Sequence, residues 1–101
     1  MLSVYVTCKD KKEARKIARA LLEKKLIACA NIFPVESHFW WKGKLEEASE
    51  AAILAKTTDK KLDAIRELIH HLHCYEVPVI SSWSSKGNEA AEHWVQEELE
   101  K

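Results

Sequence analysis

The chain of 101 residues has only two glycines, two prolines and one methionine. Gly43 and Gly87 stand alone, so no glycine-rich loop exists to cradle a phosphate with backbone N–H groups. Three cysteines, an odd number without framework spacing, exclude a disulfide scaffold and point to a reducing compartment, the cytoplasm by default. No run of about 20 apolar residues occurs, so no membrane-spanning helix and no membrane partner are expected. The opening Leu2-Ser3-Val4-Tyr5-Val6-Thr7 lacks a charged start, a long apolar core and a small-residue cleavage site, so no leader is expected there. Sixteen basic and sixteen acidic residues cancel. That balance removes the electrostatic footprint of a nucleic-acid binder. Repeats, low-complexity tracts and linkers are missing too, and the length suits one domain over residues 1–101.

What is abundant is charge and, locally, aromatic surface. About a third of the residues are charged, a composition associated with ion-pair networks on thermophile surfaces. Ser37-His38-Phe39-Trp40-Trp41-Lys42-Gly43-Lys44 gathers three aromatics, two cations and a glycine in eight positions. Read as a strand, it puts Phe39 and Trp41 on one face and His38 and Trp40 on the other, with Gly43 reversing the chain at a hairpin tip. A strand that is aromatic on both faces needs cover on both, and part of that cover is expected from another subunit.

Around this tip the periodicities give a regular order. Leu2 to Cys8 is a strand by its β-branched and aromatic content. Asp10 and Glu13 have capping-box spacing ahead of Ala14, Ile17, Ala18, Leu21 and Leu22, which predicts an amphipathic helix ending near Lys24-Lys25. Leu26 to Phe33 reads as a strand, with Pro34 marking a bulge or an edge before the aromatic strand resumes at Val35. Leu45 to Thr57 is rich in helix formers, but hairpin geometry demands a partner strand, which favours strand for its later part. Thr58-Asp59 is the cap expected for a helix on Leu62, Ile65, Leu68, Ile69 and Leu72. Tyr75 to Ile80 is extended because Pro78 disfavours helix at Val77, and a strand continues to Trp83. Gly87-Asn88 should cap a last helix with Ala91, Trp94, Val95 and Leu99 on its apolar face. Strand, helix, two strands, helix, strand, helix is the α+β, ferredoxin-like split βαβ arrangement with an extended β-hairpin and an added C-terminal helix.

Few residues carry obvious chemistry. His70, His73 and Cys74 have spacings of three and four at a helix end, which suits copper or zinc, or simply a helix dipole facing water. No zinc signature surrounds them. Cys8 and Cys29, in buried-looking strands, read as small hydrophobes. Lys56 falls in a buried-looking run with Glu50 on the same strand face, a structural ion pair by its simplest reading. Trp40, Trp41, Trp83 and Trp94 are a heavy tryptophan load, suited to a core, an interface or a ligand cleft.

Several motifs in order make the chain resemble the CutA divalent-cation tolerance family. They are Val4-Tyr5-Val6-Thr7, Leu26-Ile27-Ala28-Cys29-Ala30-Asn31-Ile32, Ser37 with Trp40-Trp41-Lys42-Gly43-Lys44, Glu50, Lys56-Thr57, His73, Tyr75-Glu76-Val77-Pro78, and Gly87-Asn88 with Trp94. The resemblance implies a tight homotrimer of ferredoxin-like subunits whose strands pair across subunits, with Leu45 to Thr57 as strand. It also implies clefts between subunits, comparable to those of PII signalling proteins, near Cys29, Trp41, Glu50, Lys56, His73, Tyr75 and Trp94. Two departures stand out: Cys74 where the family usually has proline, and small Ala91 where aspartate or tyrosine is common.

The resemblance leads to a cytoplasmic, non-enzymatic homotrimer that binds copper or another divalent cation and contributes to metal tolerance, with no cofactor required for folding. Cys29 and His73 are then the preferred ligands, Cys74 a further candidate and Glu50 a carboxylate contributor; Trp41, Lys56, Tyr75 and Trp94 line the cleft. The alternative is a PII-like sensor whose cleft takes a small anion on Lys56 between Trp41 and Trp94. No base, oxyanion site or triad can be named for an enzyme using Cys29 or a metal-bound water, so no catalytic residue is assigned.

Overall fold

A computed structural model describes all 101 residues. The elements are β1 (Leu2–Cys8), α1 (Lys11–Glu23), β2 (Cys29–Trp41), β3 (Lys44–Thr57), α2 (Leu62–Leu72), β4 (Ile80–Ser84) and α3 (Glu89–Glu100), with a 3-10 turn at Asp59–Lys61 leading into α2. The strands form one antiparallel sheet in the order β2-β3-β1-β4. Both βαβ crossovers return on one face, which gives the expected ferredoxin-like α+β arrangement.

Alternation along the strands assigns the two faces. Val4, Val6 and Cys8 on β1 are register partners of Ala55, Ile53 and Ala51 on β3, and all six point toward α1 and α2. From the helices come Ala14, Ile17, Ala18 and Leu21 of α1 and Ile65 and Ile69 of α2, spaced as the periodicity predicts. Each large aliphatic side chain fully buried here contributes about 1.5–3 kcal/mol. On the other face Ser3 and Ala52 are also buried, and Val95 and Leu99 of α3 are buried outside the main cluster. α3 packs on β3 and covers part of this second face.

The β2–β3 hairpin runs on past the end of β1, whose last pair is Cys8 with Ala51, by the length of Val35 to Glu50. The molecule is accordingly elongated, 44 × 25 × 21 Å. Its tip is a two-residue turn with Lys42 at φ 50° and Gly43 at φ 79°, flanked by the pair Trp41 and Lys44. Positive φ at both central positions matches the twist of the flanking strands, and Gly43 takes that conformation without strain.

Three local expectations need correction. β2 starts at Cys29 rather than Leu26 and runs unbroken through Pro34, which pairs with Ala51. Proline is tolerated there because β2 is the sheet edge, with no bulge required. β3, by contrast, is strand over all of Lys44–Thr57, as the family resemblance implies, since ladder pairing overrides the helix propensity of its glutamates and alanines. Tyr75 to Val79 is a loop, and the last strand begins at Ile80. Finally, Asp10 caps α1 as expected, its Oδ1 accepting the Glu13 N–H at 2.8 Å, but Thr58 and Asn88 make no side-chain cap.

Candidate functional site

The second face of the sheet carries most of the residues singled out from the sequence. Cys29, Phe33, Phe39 and Trp41 of β2 lie in register with Lys56, Ala52, Glu46 and Lys44 of β3, and Ser3 pairs Lys56 on one side and Trp83 on the other. The sheet therefore presents Cys29, Lys56 and Trp83 near one end, and Glu50 and Trp41 toward the hairpin end. Six residues of strand separate Lys56 from Glu50, about 20 Å at 3.3 Å per residue. The ion pair between them does not form.

Glu50 is engaged by Tyr75 instead. The Tyr75 hydroxyl donates to Glu50 Oε2 at 2.5 Å, and burial together with this carboxylate pushes the phenol above its ordinary range. Lys42 at the hairpin tip stands 3.7 Å from Glu76 and 5.4 Å from the Trp41 ring centroid, so the Tyr75–Val79 loop leans along the protruding hairpin. Lys56, half-buried, takes part in no ion pair.

His73 and its neighbours form a second, deeper cluster. His73 ends α2, and its side chain is 0% exposed. Its Nδ1 accepts the Tyr75 N–H at 3.1 Å, which leaves Nε2 as the protonated nitrogen, donating to the Thr7 carbonyl at 2.8 Å. The ring lies 4.7 Å from that of Tyr75, tilted. Glu13, the capping-box residue of α1, faces His73: Oε1 accepts the Lys9 N–H and Oε2 the Cys74 N–H, each at 3.0 Å, and Oε1 is 4.0 Å from His73 Nε2. Burial alone would raise this carboxyl, but hydrogen bonds from Lys9 and Cys74 outweigh it and hold Glu13 below its ordinary value. Cys74 is pushed up by its hydrogen bond to Glu13. Cys8, fully buried next to them, is pushed up to about 12 by burial first and the Glu13 charge second.

One ligand-capable atom from each of Cys8, Glu13 and His73 lies within 4.8 Å of the other two. Of the metal candidates read from the sequence, His73 and Cys74 meet here, while Cys29 lies at the far end of β2 and Glu50 on the opposite sheet face from Cys8. His70 and His71 face solvent, so the grouping of His70 with His73 and Cys74 is not formed. Trp41 and Trp94 are both exposed, on separate elements. Cys8 and Glu13 were legible only as a small hydrophobe and a helix cap. Their meeting with His73 depends on the end of α2 returning over the start of α1, which no local spacing signals.

Comparison with known proteins gives a consistent answer. Residues 2–98 match the family model described as CutA1 divalent ion tolerance protein. Among named relatives, the divalent-cation tolerance protein CutA of Archaeoglobus fulgidus is 41% identical over 98 residues, 96% of each chain. Protein CutA of Mus musculus is 41% identical over 97% of this chain and 56% of its own length. Among solved structures, one described as the periplasmic divalent cation tolerance protein CutA from Archaeoglobus fulgidus superposes with a TM-score of 0.94 at 40% identity, covering 98% of this chain and 99% of its own. CutA1 from Pyrococcus horikoshii superposes with a TM-score of 0.91 at 36% identity, covering 97% of each chain. The family model and the Archaeoglobus fulgidus proteins are named for tolerance of divalent cations and not for a catalysed reaction. With fold, motifs and sequence in agreement over nearly its whole length, the chain belongs to the CutA1 divalent ion tolerance family.

Proposed function

We propose that this protein serves divalent-cation tolerance by binding a thiophilic metal ion, copper foremost, as a non-enzymatic cytoplasmic homotrimer with ligand sites between subunits. The observation that carries the reading is the row of exposed aromatics: Phe33, Phe39 and Trp41 along β2, with Trp83 and Trp94, each between 36% and 47% exposed. Apolar surface on this scale calls for a partner, and a second and third copy of the chain supply the same surface in return. The family resemblance implies that closure of three copies brings a neighbour's Cys29 and Lys56 toward the Glu50, His73, Cys74 and Tyr75 end, which one protomer holds apart. Thiolate and imidazole donors favour copper over magnesium or calcium. Three free cysteines support a reducing location, while the similar Archaeoglobus protein is described as periplasmic; cell fractionation separates the two.

The test combines sedimentation with calorimetric copper titration. The expected species is three times the 11.6 kDa protomer, and copper affinity falls in Cys29→Ser and His73→Ala. A lone protomer under native conditions, or unchanged affinity in both variants, removes the assignment.

Lys56 favours a second reading. A half-buried ammonium without an anionic partner is a place for an anion to bind. As a PII-like sensor, the protein would hold a small anion on Lys56 beside Trp41 and Trp94 of the assembled cleft. Lys56→Ala then abolishes anion binding while the trimer persists, and metal is dispensable.

A further inference from the structure

The cancelled net charge of the whole chain hides a local imbalance. Half of the sixteen basic residues fall between positions 9 and 25, against three of the sixteen acidic ones, and one of those three, Glu13, is buried. We infer that the outer face of α1 is a docking surface for the phosphate backbone of duplex nucleic acid, bound without regard to base sequence. The surface lies on the helix side of the sheet, away from the aromatic face through which copies associate in the reading above, and it does not depend on the metal.

From Lys11 to Arg19 the positions turned into the protein are Glu13, Ala14, Ile17 and Ala18, and every remaining one is an exposed cation: Lys11, Lys12, Arg15, Lys16 and Arg19. At 3.6 residues per turn these five cover an arc of about 140° on the solvent side. Only Arg19 has a carboxylate in reach, Glu23 at 3.1 Å; the other four take part in no ion pair.

Helix stability does not account for this arrangement. Lys11 and Lys12 sit in the first turn, where the positive end of the macrodipole disfavours cations. Lys11 with Arg15, Lys12 with Lys16 and Arg15 with Arg19 are like-charge neighbours at i,i+4, each unfavourable to the helix. A local rule broken repeatedly without a compensating contact marks a surface kept for something other than folding.

Three anionic occupants match in sign, and their physics separates them. A bilayer holds an interfacial helix firmly when its apolar face inserts, but the apolar stripe of α1 is the protein core. The acidic α3 of a second copy offers five glutamates, of which Glu92, Glu97 and Glu98 already have partners, and exposed ion pairs are individually weak. A duplex carries one charge per about 1.7 Å, so the roughly 20 Å of α1 faces about 12 phosphates whose condensed counterions are released on contact. The face holds no aromatic on which an unpaired base could stack, which favours duplex over single strand. α1 packs beside α2, and two adjacent helices are too broad for a major groove of about 12 Å, so the cations reach phosphates and not base edges.

The experiment is fluorescence anisotropy of a labelled duplex of about 20 base pairs titrated with the full chain at a series of salt concentrations. Five phosphate contacts give a slope of log affinity against log salt of about −4.5, a loss of several hundredfold between 50 and 200 mM. The double variant Lys12→Gln, Lys16→Gln brings the slope to about −2.7 and weakens binding at 50 mM at least about tenfold, with an unchanged circular-dichroism spectrum. Lys86→Gln, in the loop before α3, leaves the wild-type curve unchanged, and two duplexes of unrelated sequence bind alike. No binding at 50 mM salt overturns the inference, as does an unaltered slope in the double variant, a preference for single strand, or a preference for one sequence. Tighter binding to phosphatidylserine vesicles than to duplex, lost in the double variant, overturns it in favour of a membrane. A salt-sensitive gain in particle size that the double variant loses, without duplex binding, overturns it in favour of α3 from a second copy.

Discussion

On the helix-covered face of the sheet Val4, Val6, Cys8, Ala51, Ile53 and Ala55 are at most 2% exposed, whereas on the opposite face Phe33, Phe39 and Trp41 each leave more than a third of their surface open. The first face is completed by the chain itself, through α1 and α2. The second is covered only in part, by α3, and its aromatic hairpin projects beyond the rest of the sheet. The difference separates two kinds of apolar residue that composition counts together: those that stabilise the protomer, and those whose burial waits for association.

The largest effect should come from breaking the closed face. Ile53→Ala removes a fully buried side chain between the sheet and the helices and is expected to cost about 2–5 kcal/mol. Denaturant unfolding at a fixed protein concentration checks this, because association would shift the midpoint. Phe39→Ser should do the reverse, leaving the circular-dichroism spectrum intact and weakening self-association in sedimentation.

Next is the polar cluster at the rim of the closed face. Glu13→Ala strips the Lys9 and Cys74 N–H groups of their acceptor and should cost about 1.5–3 kcal/mol in the same unfolding measurement.

Titration of the same cluster gives a pH signature. Glu13 is held below its ordinary value in the fold, so its contribution is present above the usual glutamate range and is lost as pH falls through the lowered value. Cys8 has the opposite sign. Its thiol is raised from 9.0 to about 12, so the stability it contributes is complete below pH 9.0 and is lost as pH climbs toward about 12. Thermal melts across pH should show both flanks, with Cys8→Ala flattening the alkaline one.

Smaller still is Tyr75→Phe, which deletes one hydrogen bond to Glu50 at the junction between loop and hairpin. A loss of about 0.5–1.5 kcal/mol is expected. Trp40→Ser sharpens the comparison at its lower limit. Trp40 is 72% exposed on the helix-side face of the hairpin, and its loss should change protomer stability by no more than about 0.5 kcal/mol.

How much of this was legible depended on how local the signal was. α1 was readable to its boundaries because the Asp10 cap, the Ala14-Ile17-Ala18-Leu21 stripe and the lysines at its end all lie within one stretch of chain. The hairpin tip was readable because Gly43 and the aromatic alternation are local too. β3 was readable from its residues only in its later part, where hairpin geometry demands a partner for β2, since its composition favours helix and pairing with β1 and β2 makes it a strand. Pro34 left bulge and edge both open for the same reason, and the edge reading holds: whether proline interrupts a strand depends on whether that strand is an edge. The candidate site was legible in part. His73 and Cys74 were named from helix-end spacing and from family resemblance, but Cys8 and Glu13, 65 and 60 positions earlier, carried no motif that joined them.

The amino-acid sequence alone determined the order of elements, the positions of the amphipathic faces and the family, because periodicity, capping and motif spacing are written within a few residues of each other. Only the tertiary structure decided that Glu50 pairs with Tyr75 and not with Lys56, that His73 is buried while His70 is not, and that Cys8, Glu13 and His73 meet. Those outcomes are set by strand register and by the return of α2 over α1, and both depend on distances between segments far apart in the chain.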